Sequence, residues 1–420
     1  MAQNLTFTTS TIGTASRNFI DVTTWVASFP SDFRTGGGVH HHGDLFADSD
    51  ITDTDVAMGP TAQNQVTRAC GITLSNAPGE KPLWRPGSGG APLRYLQIAR
   101  GARVSGITFD GSLRNMSTSG VRGMVTFNEF GTGSEVIGFA KLYGCTIKNS
   151  NVNGITAGNA TGALFRMESC QIYDNALSGL IMFDTSGGGA RMGEARNCGF
   201  AFNGLWGIES FTKAPSSSRE RINIPDSWFR SNPSGSVQRI DNPPQPSSFV
   251  VMDDQRFTDE GFVLNGTFAA NVLENAIQAQ FAFVNEAGRD FTPGSGSVLL
   301  GQGHIFGQEF DFNYPFDVNN ARLNFDWGDR LDVGPIQSKT VAAIPVADEP
   351  DLAVKSKTST TIVVTVSNVT GSDTVTFFQR EKENFGDLWI QAGTRSGNGD
   401  FTYTGLTPEV DYNLQCKVDT

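Results

Sequence analysis

The chain has 420 residues and a mass of 45.1 kDa, room for two or three domains at about 150 residues each. Its 31 basic and 43 acidic side chains give a net charge of −12, and no run of Lys or Arg supplies the basic face that nucleic-acid phosphates or anionic lipid would need. Glycine at 48 positions and phenylalanine at 31, with only 18% charged residues, describe an all-β chain rich in turns rather than charge-driven disorder.

Met1 to Ser10 lack the basic and apolar regions of a secretory signal. No window reaches the ~18 apolar residues of a membrane span, so the chain is expected to fold in a cytoplasm without membrane insertion. Val22, Trp25, Val26 and Phe29 stand at i, i+3, i+4 and i+7 and predict an amphipathic helix. His40, His41 and His42 follow three glycines at 36–38 and are expected in a polar loop. Neighbours on an extended chain point to opposite sides, so at most two of these imidazoles could meet one ion. Asp44, Asp48, Asp50, Asp53 and Asp55 lack the loop glycine and distal glutamate of a calcium hand and predict a hydrated loop. No metal or cofactor is expected.

A repeat occupies the middle of the chain. Cys145, Cys170 and Cys198 each have an apolar residue three before (Leu142, Met167, Ala195) and two after (Ile147, Ile172, Phe200). Five after stand Ser150, Asn175 and Asn203, and nine after is always glycine (Gly154, Gly179, Gly207), followed by Ile155, Leu180 and Ile208. Ser227 anchors a fourth copy with Ile224, Phe229, Asn232, Ser236 and Val237, and a looser copy precedes at Ile107 and Phe109. The anchors at 145, 170, 198 and 227 are 25, 28 and 29 residues apart. A period of roughly 20–50 residues signals a solenoid, and alternation this brief, broken by Asn and Gly, gives strands too short for a helical repeat.

The prediction is a parallel β-helix over 100–240, with short strands stacked in register and like side chains above one another. The cysteines then form an internal stack beside an aliphatic one. The Ser/Asn series bonds along a turn, and the glycines supply φ > 0 corners. Five cysteines without a Cys-x-x-Cys pair argue against a disulfide framework or zinc site, so the thiols are expected to be buried and structural. Residues 339–351 carry the prolines and small residues of a linker. Beyond it, 361–366, 374–378, 388–390 and 401–403 alternate as antiparallel strands and predict a small β-sandwich over 352–420.

With these motifs assembled, residues 100–240 resemble the right-handed parallel β-helix of phage tailspikes, phage fibres and pectate-lyase-like proteins. Residues 11–29, within a capping region at 1–99, resemble the segment in which such proteins plug the open end of the solenoid with a helix. Residues 290–301, 314–317 and 331–335, within 241–338, are similar to their closing part. Leu406, Pro408 and Tyr412, followed by Leu414, Cys416 and Val418, resemble the tyrosine-corner region of fibronectin type III domains, a family with one further strand after this point. The fold implied is all-β: a β-helix capped by an N-terminal helix, then a small sandwich. The resemblance implies a bacteriophage virion appendage (spike, fibre or decoration), made in the host cytoplasm and released by lysis. Its partners would be other virion proteins, host-surface polysaccharide and copies of itself, with a trimer favoured. The alternative is a polysaccharide depolymerase, hydrolase or lyase, on the same scaffold, since one fold hosts many activities.

The chemistry is thinner than the fold. Glycoside hydrolysis needs two carboxylates roughly 5–10 Å apart. Asp110, Glu168, Asp174, Asp184, Glu194, Glu209 and Asp226 all fall at different offsets from their anchors, so no stacked acid pair is expected and no catalytic residue is assigned. Glu168 aligns with Arg196 on the next coil, which predicts an ion pair between rungs. At outward offsets that are mostly polar, later coils carry Phe202, Trp206 and Trp228. These rings are expected to form one lateral patch. It would serve either as a glycan contact, stacking on sugar C–H faces, or as packing under a loop or against another subunit.

Overall fold

A computed structural model describes residues 6–29, 39–58, 71–99, 101–128, 139–158, 163–184, 191–212, 220–241, 249–251, 257–259, 264–265, 276–278, 281–304, 317–319, 321–323, 329–338, 340–341, 351–358, 360–367, 374–381, 390–404, 406 and 412–419. The expected linker (mostly 342–350), the glycines at 36–38, residues 314–316 and the core of the tyrosine-corner segment at 407–411 lie outside them. The chain divides into two compact units, one formed by 1–304, 312–325 and 329–340, the other by 341–420 with two short pieces before it.

The first unit is a parallel β-solenoid. Its strands fall into three parallel sheets of nine, eight and eight described strands, and the chain visits the sheets in turn. One coil, for example, runs through Ala140–Tyr143, Thr146–Lys148 and Asn153–Ala157, and the next through Ala163–Glu168, Gln171–Tyr173 and Leu180–Asp184. The sequence repeat is also the hydrogen-bonding register. Leu142 pairs with Met167 and Met167 with Ala195 in the first sheet. Phe109, Ile147, Ile172, Phe200 and Phe229 pair in series in the second. Ile155, Leu180, Ile208 and Val237 do so in the third. These side chains are buried and belong to one continuous core. Where like meets like the contact is ordered: the rings of Phe200 and Phe229 stack with centroids 5.2 Å apart.

Cys145, Cys170 and Cys198 are fully buried in this core. Each Sγ donates to a backbone carbonyl: Cys145 to Tyr143 at 3.3 Å, Cys170 to Leu142 at 3.3 Å and Cys198 to Arg196 at 3.1 Å. At the fourth rung Ser227 Oγ donates to the Ala195 carbonyl at 2.8 Å and accepts the Cys198 N–H at 3.0 Å. Burial pushes the thiols of Cys145 and Cys198 well above their ordinary pKa, so they are neutral packing groups with no nucleophilic character.

Beside the thiols runs an amide ladder. Asn175 Nδ2 donates to Asn203 Oδ1 at 2.9 Å, and Asn203 Nδ2 donates to Asn232 Oδ1 at 3.0 Å. The Ser150 N–H donates to Asn175 Oδ1 at 3.1 Å, and Asn232 Nδ2 ends on the Phe200 carbonyl at 2.9 Å. Asn175 and Asn203 are fully buried, so these bonds also satisfy turn backbone that water does not reach.

The corners differ from the expectation. Gly154, Gly179 and Gly207 are absent from the positive-φ residues. They are glycine because a side chain there has no room: a Cβ on Gly179 would lie 2.8 Å from the Gly207 carbonyl oxygen, and one on Gly207 equally close to that of Ser236. The left-handed corners sit instead one residue before and four residues after each anchor. Gly144, Ser169, Asn197 and Asp226 form one column with φ of 58°, 53°, 47° and 50°; Asn149, Asp174, Phe202 and Ser231 form the other with 61°, 54°, 52° and 49°. They bracket the short strands of the second sheet. A non-glycine residue there costs roughly 1–2 kcal/mol, least for Asn and Asp, whose side chains bond locally.

At the N-terminus the predicted helix is Val22–Ala27, six residues long and capped by Asp21, whose carboxylate accepts the Thr24 N–H at 2.7 Å. Val22 and Trp25 are buried and join the solenoid core. The histidines do not form a loop: they lie in the strand Val39–Leu45 of the first sheet. Their alternation follows from that strand. His40 and His42 bond Thr73 Oγ1 and Ser75 Oγ at 3.0 and 2.7 Å, while His41 packs against the Phe29 ring at 4.7 Å.

Among its described residues the second unit holds two antiparallel three-stranded sheets. One is built from Asp351–Lys357, Ile362–Ser367 and Gly399–Tyr403, the other from Ile390–Ser396, Thr374–Glu381 and Tyr412–Asp419. They share a core of Val364, Val366, Val375, Phe377, Tyr403 and Leu406. The 388–390 strand of the sequence reading is correspondingly placed at Ile390–Ser396.

Two substitutions separate crowding from backbone conformation. Gly179→Ala is expected to destabilise the chain by about 1–3 kcal/mol, because the rung above blocks the new methyl group. Ser231→Gly, at an exposed left-handed corner, is expected to be neutral or stabilising by up to about 1 kcal/mol. Chemical denaturation of the two variants beside the parent chain measures both, and equal losses would contradict the assignment.

Candidate functional site

Of the three rings expected to form one lateral patch, Phe202 and Trp228 meet in one covered cluster, and Trp206 is not among its described members. Trp228, on the second sheet, is 1% exposed. It lies under a segment that returns over that sheet: an antiparallel hairpin, Phe283–Asn285 with Asp290–Pro293, and the buried stretch 331–337. Phe283, Phe291 and Phe281 surround the indole at centroid distances of 4.9, 5.4 and 6.0 Å. Gly199 and Gly334 are cut away on either side of it, since a Cβ at either would collide with the ring. Phe202 packs against the same cluster, with the Arg289 guanidinium 4.0 Å over its ring. Trp206 begins a strand of the third sheet and is 7% exposed. For Trp228 and Phe202, packing is the reading their surroundings fit. The physical reason is a second hydrophobic core, with Ala201, Phe281, Phe291, Leu299, Val333 and Ile336 around Trp228, that shields the outer face of the second sheet.

Ion pairs fasten that cover. Arg289 clamps Asp174 with two bonds of 2.7 Å, and Arg230 holds Glu286 at 2.8 Å. The Arg230 guanidinium lowers the Glu286 pKa, and the Asp174 carboxylate raises that of Arg289. Deeper in, Asp226 is fully buried and accepts the His304 N–H at 3.0 Å, with His304 Nδ1 at 2.8 Å.

Other solenoid carboxylates are similarly committed. Asp110 accepts Asn149 Nδ2 and the Ser112 N–H, each at 2.9 Å. Glu209 accepts Ser178 Oγ at 2.6 Å. Register sets Glu168 opposite Arg196 as expected; Arg196 Nε also donates to Glu194 on its own strand, and Arg166 reaches the same carboxylate at 2.6 Å. The Asp184 side chain lies outside the described residues. The acidic run near the N-terminus is tied down too: Asp48 to Arg17 at 2.9 Å, Asp50 to Arg85 at 2.7 Å, and Asp53 to the Thr23 N–H at 3.0 Å.

The outer face of the third sheet has a different character. Beside the strands Gly123–Asn128 and Asn153–Ala157 is a recess of about 90 Å³, lined by Leu93, Arg94, Arg122, Thr126, Thr156 and Phe183, among others. Thr126 and Thr156 are register partners, so their side chains fall in one outward column. Gln97 precedes them in that column. Arg94 and Arg122 each stand just before a strand of this sheet, Leu96–Ala99 and Gly123–Asn128. Arg122 Nε donates to the Ser119 carbonyl at 2.9 Å. Burial and the neighbouring Arg122 lower the Arg94 pKa. The cysteine-anchored repeat does not reach most of these residues, since its anchors begin at 145. Basic residues entering successive strands at nearly the same point were the signal available.

No protein-family model matches the chain, and a search of curated proteins finds no similar sequence.

Trp228→Ala is expected to lower stability by about 3–5 kcal/mol, the cost of emptying a large buried ring site. Thermal unfolding followed by circular dichroism measures it. An unchanged melting temperature would contradict the packing role.

Proposed function

We propose that the chain is a structural virion appendage protein of a bacteriophage, a spike, fibre or decoration that contacts host-surface glycans. The observation that carries this reading is the parallel β-solenoid itself, a stack of like rungs followed in sequence by a separate antiparallel unit. The repeat-level resemblance to phage spikes and fibres points the same way. In this reading the solenoid winds right-handed, as parallel crossovers generally do. The helix Val22–Ala27, whose Val22 and Trp25 are buried, would close its first coil. The three-on-three strand order of the second unit, with the run from Leu406 to Tyr412, supports a fibronectin type III-like domain. Assembly would be with other virion proteins and as a homo-oligomer, with a trimer favoured. The protein would be made in the host cytoplasm and freed by lysis.

A depolymerase on the same scaffold is the second reading. It is disfavoured by Asp110, Asp174, Glu194, Glu209 and Asp226, each bonded within the protein. Antibodies against the purified chain, applied to intact phage particles, are expected to decorate an appendage. Incubation with host envelope polysaccharide is expected to release no oligosaccharide. Labelling of cells alone would overturn the virion reading, and released oligosaccharide would favour the enzyme.

A further inference from the structure

We infer that the recess on the third sheet is a binding site for an oxyanion, a carboxylate, sulfate or phosphate group, held by Arg94 and Arg122 above Thr126 and Thr156. The inference stands apart from the virion reading and uses only the local chemistry.

Arg94 is the pivot. Its Nε is buried without a hydrogen-bond partner, whereas buried guanidinium donors in folded proteins are ordinarily satisfied. Asp55 is the carboxylate that acts on it, but without an ion pair among the described residues, and Asp55 Oδ1 is engaged by the Leu93 N–H at 3.2 Å. Arg122, the other cation of the recess, repels it. Two like charges held together at a half-buried site are unfavourable unless an anion lies between them. This pair persists in a chain of net charge −12, where carboxylates to neutralise it are plentiful.

The hydroxyl side agrees. Thr156 is 3% exposed, lines the recess, and its Oγ1 has no hydrogen-bond partner. One column neighbour away from Thr126, Gln97 is fully buried with neither amide atom bonded. Guanidinium forks and neutral hydroxyl donors around one point are the donor set that planar or tetrahedral oxyanions need. Size agrees as well. A volume of about 90 Å³ has room for a charged head group, since a single water needs only about 10–15 Å³ on the same measure. The body bearing that group would rest at the rim, where Leu93 is 42% exposed and Phe183 is half-buried.

The test is calorimetric titration of the full chain with sulfate, phosphate, glucuronate and uncharged glucose, at fixed ionic strength in chloride. Saturable one-site binding of at least one oxyanion, and none of glucose, is expected. Arg94→Gln should weaken it about tenfold or more while leaving the unliganded melting temperature unchanged or raised, because a repelled charge is removed. Thr156→Val, nearly isosteric, should weaken it about two- to tenfold and keeps the test valid if the first variant folds poorly. Glucuronate binding ahead of the inorganic ions supports a sugar-borne carboxylate as the source; sulfate or phosphate ahead supports a free or esterified oxyanion. No saturable binding beyond chloride, as for a recess that holds only water, overturns the site. Binding that both variants leave intact overturns it equally.

Discussion

Everything in the first unit follows from in-register stacking between parallel strands about 4.8 Å apart. A residue at a given offset must tolerate its own counterpart directly above and below. For apolar side chains this is easy, and the columns of Ile, Leu and Phe need only similar volumes. For a buried polar side chain it is demanding, since each donor must find an acceptor on the next rung. Asparagine meets the demand because its amide carries both. The chain Asn175, Asn203 and Asn232 therefore bonds in one direction, donor to acceptor, along the stack.

The same constraint explains the glycines and the corners. The amide ladder and the carbonyls of the next rung occupy the space into which a side chain at Gly154 or Gly179 would point, so that column is restricted to hydrogen. The bends are made elsewhere, by single left-handed residues flanking three-residue strands. Most are Asn, Asp or Ser, and Phe202 is the costly exception. Its ring lies against the Arg289 guanidinium and the second core, which holds it in place. The outer face of the second sheet is thus covered by the returning chain. The third sheet keeps a recess with two cations at it, a separation of roles that places packing on one face and polar chemistry on another.

Much of this was legible in the sequence, for identifiable reasons. The apolar offsets repeated four times, and repetition fixed fold, register and the buried thiols together. The glycine column was seen but given the wrong cause, because a conserved offset does not distinguish a positive φ from a close approach. The left-handed columns could have been found from Asn149, Asp174 and Asn197, had Phe202 not broken the pattern. Trp228 was read as outward-facing, correctly for its strand, but its cover comes from residues 281–336, far along the chain and outside the repeat. His40 to His42 look like a loop in sequence because three polar residues hide an alternation that only the neighbouring strands reveal. The recess was invisible for a related reason: Arg94 and Thr156 meet only through the register of Thr126 with Thr156.

The central claim is that buried amides act along the stack as one bonded column. A double-mutant cycle on Asn175→Ala and Asn203→Ala, with stability measured by denaturant unfolding, tests it most directly. Truncating Asn203 already breaks the bond from Asn175, so the second loss should fall short of additive. The account predicts a coupling of about 0.5–3 kcal/mol between the two positions. Losses that add to within about 0.3 kcal/mol would contradict it.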